Sequence, residues 1–125
     1  IQYAFENVGP SLAQVQSGKL DALAVTAGQR ASFAPEIPAT GEYGLNAYEL
    51  VVWYAMFAPK HTPAAIVQRI NEAANEVMRT PEMQRLARQV GLEPAPGSAA
   101  DFKKYQHQEI RKWKDLVDMT GVKIE

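Results

Sequence analysis

The sequence predicts an α/β chain, with strands in its first half and helices in its second. Three observations carry this. Ile1, Tyr3 and Phe5 alternate with Gln2, Ala4 and Glu6, the period of a strand with one buried face. Leu20 to Thr26 is apolar apart from Asp21, as in a strand covered on both faces. Thr62-Pro63 and Thr80-Pro81 each place a capping hydroxyl before a proline suited to the first helical position.

After the first strand, Asn7-Val8-Gly9-Pro10 interrupts the alternation. Leu12 and Val15 then suit a short helix over residues 11–17, stopped by Gly18. Strand, helix and strand in this short compass read as a βαβ unit. Residues 27–47 carry Pro35, Pro38, Gly41 and Gly44 and read as a long connection, with a helical turn near Ala39 to Tyr43. Tyr48 to Ala58 is rich in Val51, Val52, Trp53, Tyr54 and Phe57 and reads as one long strand.

The next segment is helical. Ile66, Ile70, Ala73 and Val77 form one stripe, widened by Val67, Ala74 and Met78. Met83, Leu86, Ala87 and Val90 line a second helix that ends at Gly91. Ser98 opens the last helix, with Asp101 at the capping-box offset. Phe102, Tyr105, Ile110, Trp113, Leu116 and Val117 form its apolar face, and Gly121 closes it.

Composition narrows the chemistry. At 125 residues the chain is long enough for one domain with a core. It is 46% hydrophobic and 22% charged, typical of a globular protein. Lys and Arg number 13 and Asp and Glu 14, a net charge of −1 that gives no broad pull toward nucleic acid or anionic lipid. The basic run Lys103, Lys104, Arg111, Lys112 and Lys114 is interleaved with Glu109, Asp115 and Asp118 and reads as a solvated face. With no cysteine, disulfides, thiolate nucleophiles and Cys-ligated metals are excluded. No run approaches the roughly 20 apolar residues of a membrane span. Gly18-Lys19 fails the phosphate-loop pattern, because Ala13 and Leu20 occupy its required glycine and hydroxyl positions. His61 and His107 lie in different elements and lack metal-ligand spacing. No nucleophile–base pair, metal set or cofactor loop is visible, so the chain reads as a non-enzyme. Glu6, which closes the first strand and precedes a helix start, reads either as an ordinary solvated strand-end carboxylate or as a group at the edge where open α/β sheets bind ligands. Trp53 and Tyr54 are aromatic candidates for core packing or for stacking on a ligand.

The order of motifs resembles the solute receptors of tripartite tricarboxylate transporters, also called Bug receptors. The resemblance is carried by "YAFENVGPSLAQVQSGKL", "SGKLDALAVTAGQRASFAPEIPATGEYGL", "YELVVWYAMFAPKHTPAAIVQRIN" and "DFKKYQHQEIRKWKDLVDMTGVKIE". It runs through essentially the whole chain. It implies part of a type II periplasmic-binding-protein-like, two-lobed α/β fold. Residues 1–56 would be the remainder of the second lobe with a lobe-to-lobe crossover, and 57–125 the C-terminal helical part of the first lobe. The Pro-rich connection would then wander over the surface between lobes. Phe5, Glu6 and Asn7 match the family's cleft edge, with Glu6 where the family has Asp, and would touch the ligand. Thr26, Ala27 and Trp53 would belong to the hinge. The implied function is non-catalytic binding of a small carboxylate in the periplasm and its delivery to membrane transporter subunits, with neither metal nor cofactor. A start inside a strand-like pattern further suggests a piece of a longer receptor, whose isolated copies would pair as a homodimer. The other reading is a small independent interaction domain that uses its C-terminal helices.

Overall fold

A computed structural model describes residues 2–122. Its elements are a helix α1 (Val8–Gln16), a short 3-10 helix (Thr40–Tyr43), and helices α2 (Ala64–Met78), α3 (Pro81–Gln89) and α4 (Ala99–Thr120). The chain divides into two compact units. One takes the residues up to Phe57 together with Val77–Ala95. The other takes Ala58–Glu76 and the residues from Pro96 onward.

The helix boundaries follow cap chemistry. Thr80 accepts a hydrogen bond from the Met83 amide at 3.2 Å, and Pro81 sits where a missing N–H does no harm. Ser98 accepts from the Asp101 amide at 3.0 Å and donates its hydroxyl to Asp101 Oδ2 at 2.6 Å. Gly121 closes α4 at a φ of 66°. Helix α1 starts earlier than its apolar spacing suggests. Pro10 does not break it, because a first-turn proline gives up an N–H that has no partner inside the helix.

The strand segments are corrected. Among the described residues, β pairing is limited to one isolated parallel bridge, Val25 to Ala39. It is built from Val25 N–H to Pro38 O at 2.8 Å and Thr40 N–H to Val25 O at 2.9 Å. Residues 2–6, 20–24 and 48–58 form no ladder, so no βαβ unit closes among the described residues; Ile1 lies outside them. Leu23 is 78% exposed, not covered on both faces. Alternation specifies a face, but a strand also needs a neighbour to take its N–H and C=O groups.

A second correction concerns the Pro-rich connection, which is part of the core of the first unit. Ala34 and Ala39 are fully buried, Val25 and Ile37 nearly so, and Val8, Leu12, Ala27 and Phe33 pack against them. Arg30 explains how so polar a stretch folds inward. Its Nε and one terminal nitrogen donate to the two oxygens of Glu42 at 2.7 and 2.8 Å. Its other terminal nitrogen donates to Pro35 O at 2.8 Å. Glu42 Oε1 also accepts from the Ala39 amide at 2.9 Å. A forked ion pair thus ties both ends of the connection.

Gly9 and Gly91 bring the start of α1 against the turn that follows α3. A Cβ on Gly9 would collide with the Val90 carbonyl. One on Gly91, whose φ is 71°, would come within 2.7 Å of Gly9 N.

Helix α2, which belongs to the second unit as far as Glu76, turns a different side inward from the one its periodicity marks. Ile66, Ile70, Ala73 and Val77 are exposed, while Val67, Asn71, Ala74, Asn75 and Met78 are half-buried. The asparagines are satisfied by the segment leading into α4. Asn75 Oδ1 accepts from the Gly97 amide at 2.9 Å, and its Nδ2 donates to the Gly97 carbonyl at 2.9 Å. Asn71 Nδ2 donates to the same carbonyl at 3.0 Å. One side chain thus acts toward Gly97 as a paired strand would. Asn75→Ala removes both bonds and is expected to lower stability by about 2 kcal/mol. Urea unfolding measures the loss, and the Gly97 amide should exchange faster with deuterium; full protection of that amide would contradict the role given to Asn75.

Candidate functional site

The three residues placed at the ligand edge lie together at the head of α1. Phe5, Glu6 and Asn7 are exposed. Asn7 is the N-cap residue, with extended backbone (φ −65°, ψ 132°), and its side chain makes no capping hydrogen bond. No acidic residue sits in the first turn of α1. Pro10 has no N–H, so the opening of the helix presents the Val8 and Gly9 amides, with a partial positive charge that no capping side chain or first-turn carboxylate offsets. The Phe5 ring lies 6.4 Å from that of Tyr48, at 46° between planes.

Of the three residues expected at the hinge, Thr26 meets the returning segment, residues 48–58, and Ala27 meets the 3-10 helix. Thr26 and Leu50 exchange bonds: the Thr26 hydroxyl donates to Leu50 O at 2.8 Å, and the Leu50 amide donates to Thr26 O at 3.0 Å. Ala27 O accepts from the Gly41 amide and from the Thr40 hydroxyl, each at 3.2 Å. Trp53 lies further along the returning segment and is half-buried.

Sequence reasoning missed Thr40, one of the few buried polar residues. Its hydroxyl lies 3.0 Å from Tyr48 O. It also missed the Arg30–Glu42 pair. Only Glu42 carried a local signal, since it stands at the third position of a short helix, where an acid can reach back to the cap amide.

The Arg30 hydrogen bond, aided by that from the Ala39 amide, holds the Glu42 carboxyl down to about 2, while Glu42 raises the Arg30 guanidinium. A carboxylate with a depressed folded-state pKa stabilises fully above its unfolded value, near 4.5, and that stabilisation disappears as the pH falls toward 2. Both side chains remain more than two-fifths exposed, so solvent screens the pair. Melting curves of Glu42→Gln against the parent should differ at pH 6 and converge between pH 4.5 and 2. A gap that persists at pH 2 would show that the charge is not responsible.

Among the described residues, no group of three His, Asp or Glu side chains could hold a metal ion, and no helix is long and apolar enough to cross a membrane.

The profile of the Tripartite tricarboxylate transporter family receptor matches residues 2–122. The chain belongs to that receptor family. BugT of Bordetella pertussis is 28% identical over 120 residues, which are 96% of this receptor chain and 37% of BugT. A solved R. palustris protein with adipate shares 28% identity at a TM-score of 0.77, covering 93% of this chain and 39% of that one. The periplasmic binding protein BugD shares 28% at a TM-score of 0.75, covering 92% and 39%. The chain therefore spans about two-fifths of the length of these relatives. Its fold class is theirs: α/β, part of a two-lobed binding-protein fold. Its family is one of solute-binding receptors.

Proposed function

We propose that the chain is part of a periplasmic receptor that binds a small carboxylate and delivers it to the membrane subunits of a tripartite transporter. Phe5, Glu6 and Asn7 form one edge of its cleft, and Thr26, Ala27 and Trp53 lie in its crossover. Residues 1–56 belong to the second lobe with that crossover, and 57–125 to the first.

The head of α1 is the observation that supports this most. The Val8 and Gly9 amides, behind an N-cap whose side chain does not cap, are suited to a carboxylate oxygen. Capture of this kind forms and breaks no covalent bond, in keeping with a receptor. The structure with adipate shows that a relative takes an aliphatic dicarboxylate. The test is calorimetric titration of the full-length protein with a panel of mono-, di- and tricarboxylates. At least one should bind at micromolar concentration, and binding to none would overturn the reading.

The 125-residue chain by itself is expected to self-associate, most simply as a homodimer. Val51, Val52, Tyr54, Met56 and Phe57 expose apolar side chains close together in the sequence. Sedimentation at micromolar concentration should show a species above 13.8 kDa, and a monomer would contradict this.

A further inference from the structure

We propose that Thr40 is a positioning residue for the ligand edge: its hydroxyl ties Tyr48 to the outgoing segment and so holds the Tyr48 ring beside Phe5. This rests on the receptor reading above and deepens it, because it adds an apolar wall to the carboxylate edge.

Every polar group of Thr40 is used. Its amide donates to Val25 O at 2.9 Å, and its carbonyl accepts from the Leu45 amide at 3.2 Å. Its hydroxyl lies 3.0 Å from Tyr48 O and 3.2 Å from Ala27 O. A hydroxyl has one proton, so it donates to one of these carbonyls at a time. When it donates to Tyr48 O, the shorter of the two, Thr40 joins Tyr48 to the outgoing residues, because its own amide is held by Val25 O. Tyr48 is also held at its amide, which donates to Leu45 O at 2.9 Å. Two residues on, Leu50 is clamped to Thr26.

The Tyr48 backbone is thus fixed from behind while the residue stays 44% exposed. Phe5 is more exposed still. Burial gives such a pair little reason to meet, so the tied backbone is what sets the ring there. Phe5 leads directly into Glu6, Asn7 and the head of α1. The combination suits a ligand with a carboxylate at one end and several methylenes behind it. The helix amides take the carboxylate, and the two rings cover the methylenes. A short, highly charged tricarboxylate would leave the rings unused and would bring its extra charge near Glu6.

The test uses the full-length protein with adipate as probe. Thr40→Val removes the hydroxyl at nearly constant volume and is expected to weaken adipate binding about fivefold. Thr40→Ser keeps the hydroxyl and should bind as the parent does. Tyr48→Leu should weaken binding to a similar extent, and the double variant Thr40→Val, Tyr48→Leu should be no weaker than Tyr48→Leu alone. A merely structural Thr40 would lower the melting temperature and leave adipate affinity intact, or would add fully to Tyr48→Leu; either result overturns the proposal. If Thr40→Val does not fold, Tyr48→Leu decides, and unchanged affinity there overturns it. If the parent fails to bind adipate, the adipate reading falls separately. The positioning role is then read from the ring-to-ring NOE between Phe5 and Tyr48, expected in Thr40→Ser and absent in Thr40→Val. An NOE that survives in Thr40→Val overturns the positioning role.

Discussion

Gly9→Ala is expected to destabilise the protein by about 3 kcal/mol, although it places a better helix former inside a helix. Helix propensity alone gives the opposite sign, a gain of about 1 kcal/mol. The packing decides. The new Cβ would press into the Val90 carbonyl, with Gly91 Cα 3.3 Å away. These are backbone atoms of a turn whose glycine already holds a φ of 71°, so neither side yields cheaply. The Val90 and Leu92 amides are further committed to Ala87 O, at 3.1 and 2.9 Å. Urea unfolding followed by circular dichroism measures the change. A stabilised Gly9→Ala would mean that α1 and the turn after α3 do not meet as described.

Ile37→Ala is expected to cost about 3 kcal/mol. Ile37 stands between two prolines in a stretch that reads as surface, where the same change would be worth at most about 0.5 kcal/mol. In the structure it is 5% exposed and joins Val25, Ala34 and Ala39 at the centre of the first unit. The neighbours cannot close the gap easily, because the Arg30–Glu42 pair and the Val25–Ala39 bridge hold the walls in place. A loss below about 0.5 kcal/mol would return the connection to the surface. Glu36→Ala, an exposed neighbour, serves as the matched control.

The helices were legible because their signals are local. Thr80 finds its partner at Met83, and Ser98 at Asp101, within one turn of chain. The strands were not legible in the same way. The alternation at Tyr3 and Phe5 and the apolar run at Val51 and Val52 mark faces a strand would have, but a ladder depends on a neighbour far away in sequence. Periodicity likewise marked a stripe on α2 without saying what it meets, and Asn71 and Asn75 hold the packed side through Gly97. The core inside the connection left no pattern, since Ala34, Ile37 and Ala39 are few and aperiodic. The proposed ligand edge at Phe5, Glu6 and Asn7 came from family likeness. Thr40 was invisible, because a lone threonine in a loop gives no hint of the two carbonyls it will meet.

The approach of Gly9 to Gly91 also sets an order of events. The Val25–Ala39 bridge and the Arg30–Glu42 pair close short loops, which a searching chain finds quickly. The two glycines meet only after a loop that spans most of the chain has closed, so their contact forms on the native side of the folding barrier. Gly9→Ala should therefore leave the refolding rate nearly unchanged and speed unfolding by about a hundredfold. The place where two backbones touch most closely would then govern how long the folded chain lasts, and have little say in how fast it forms.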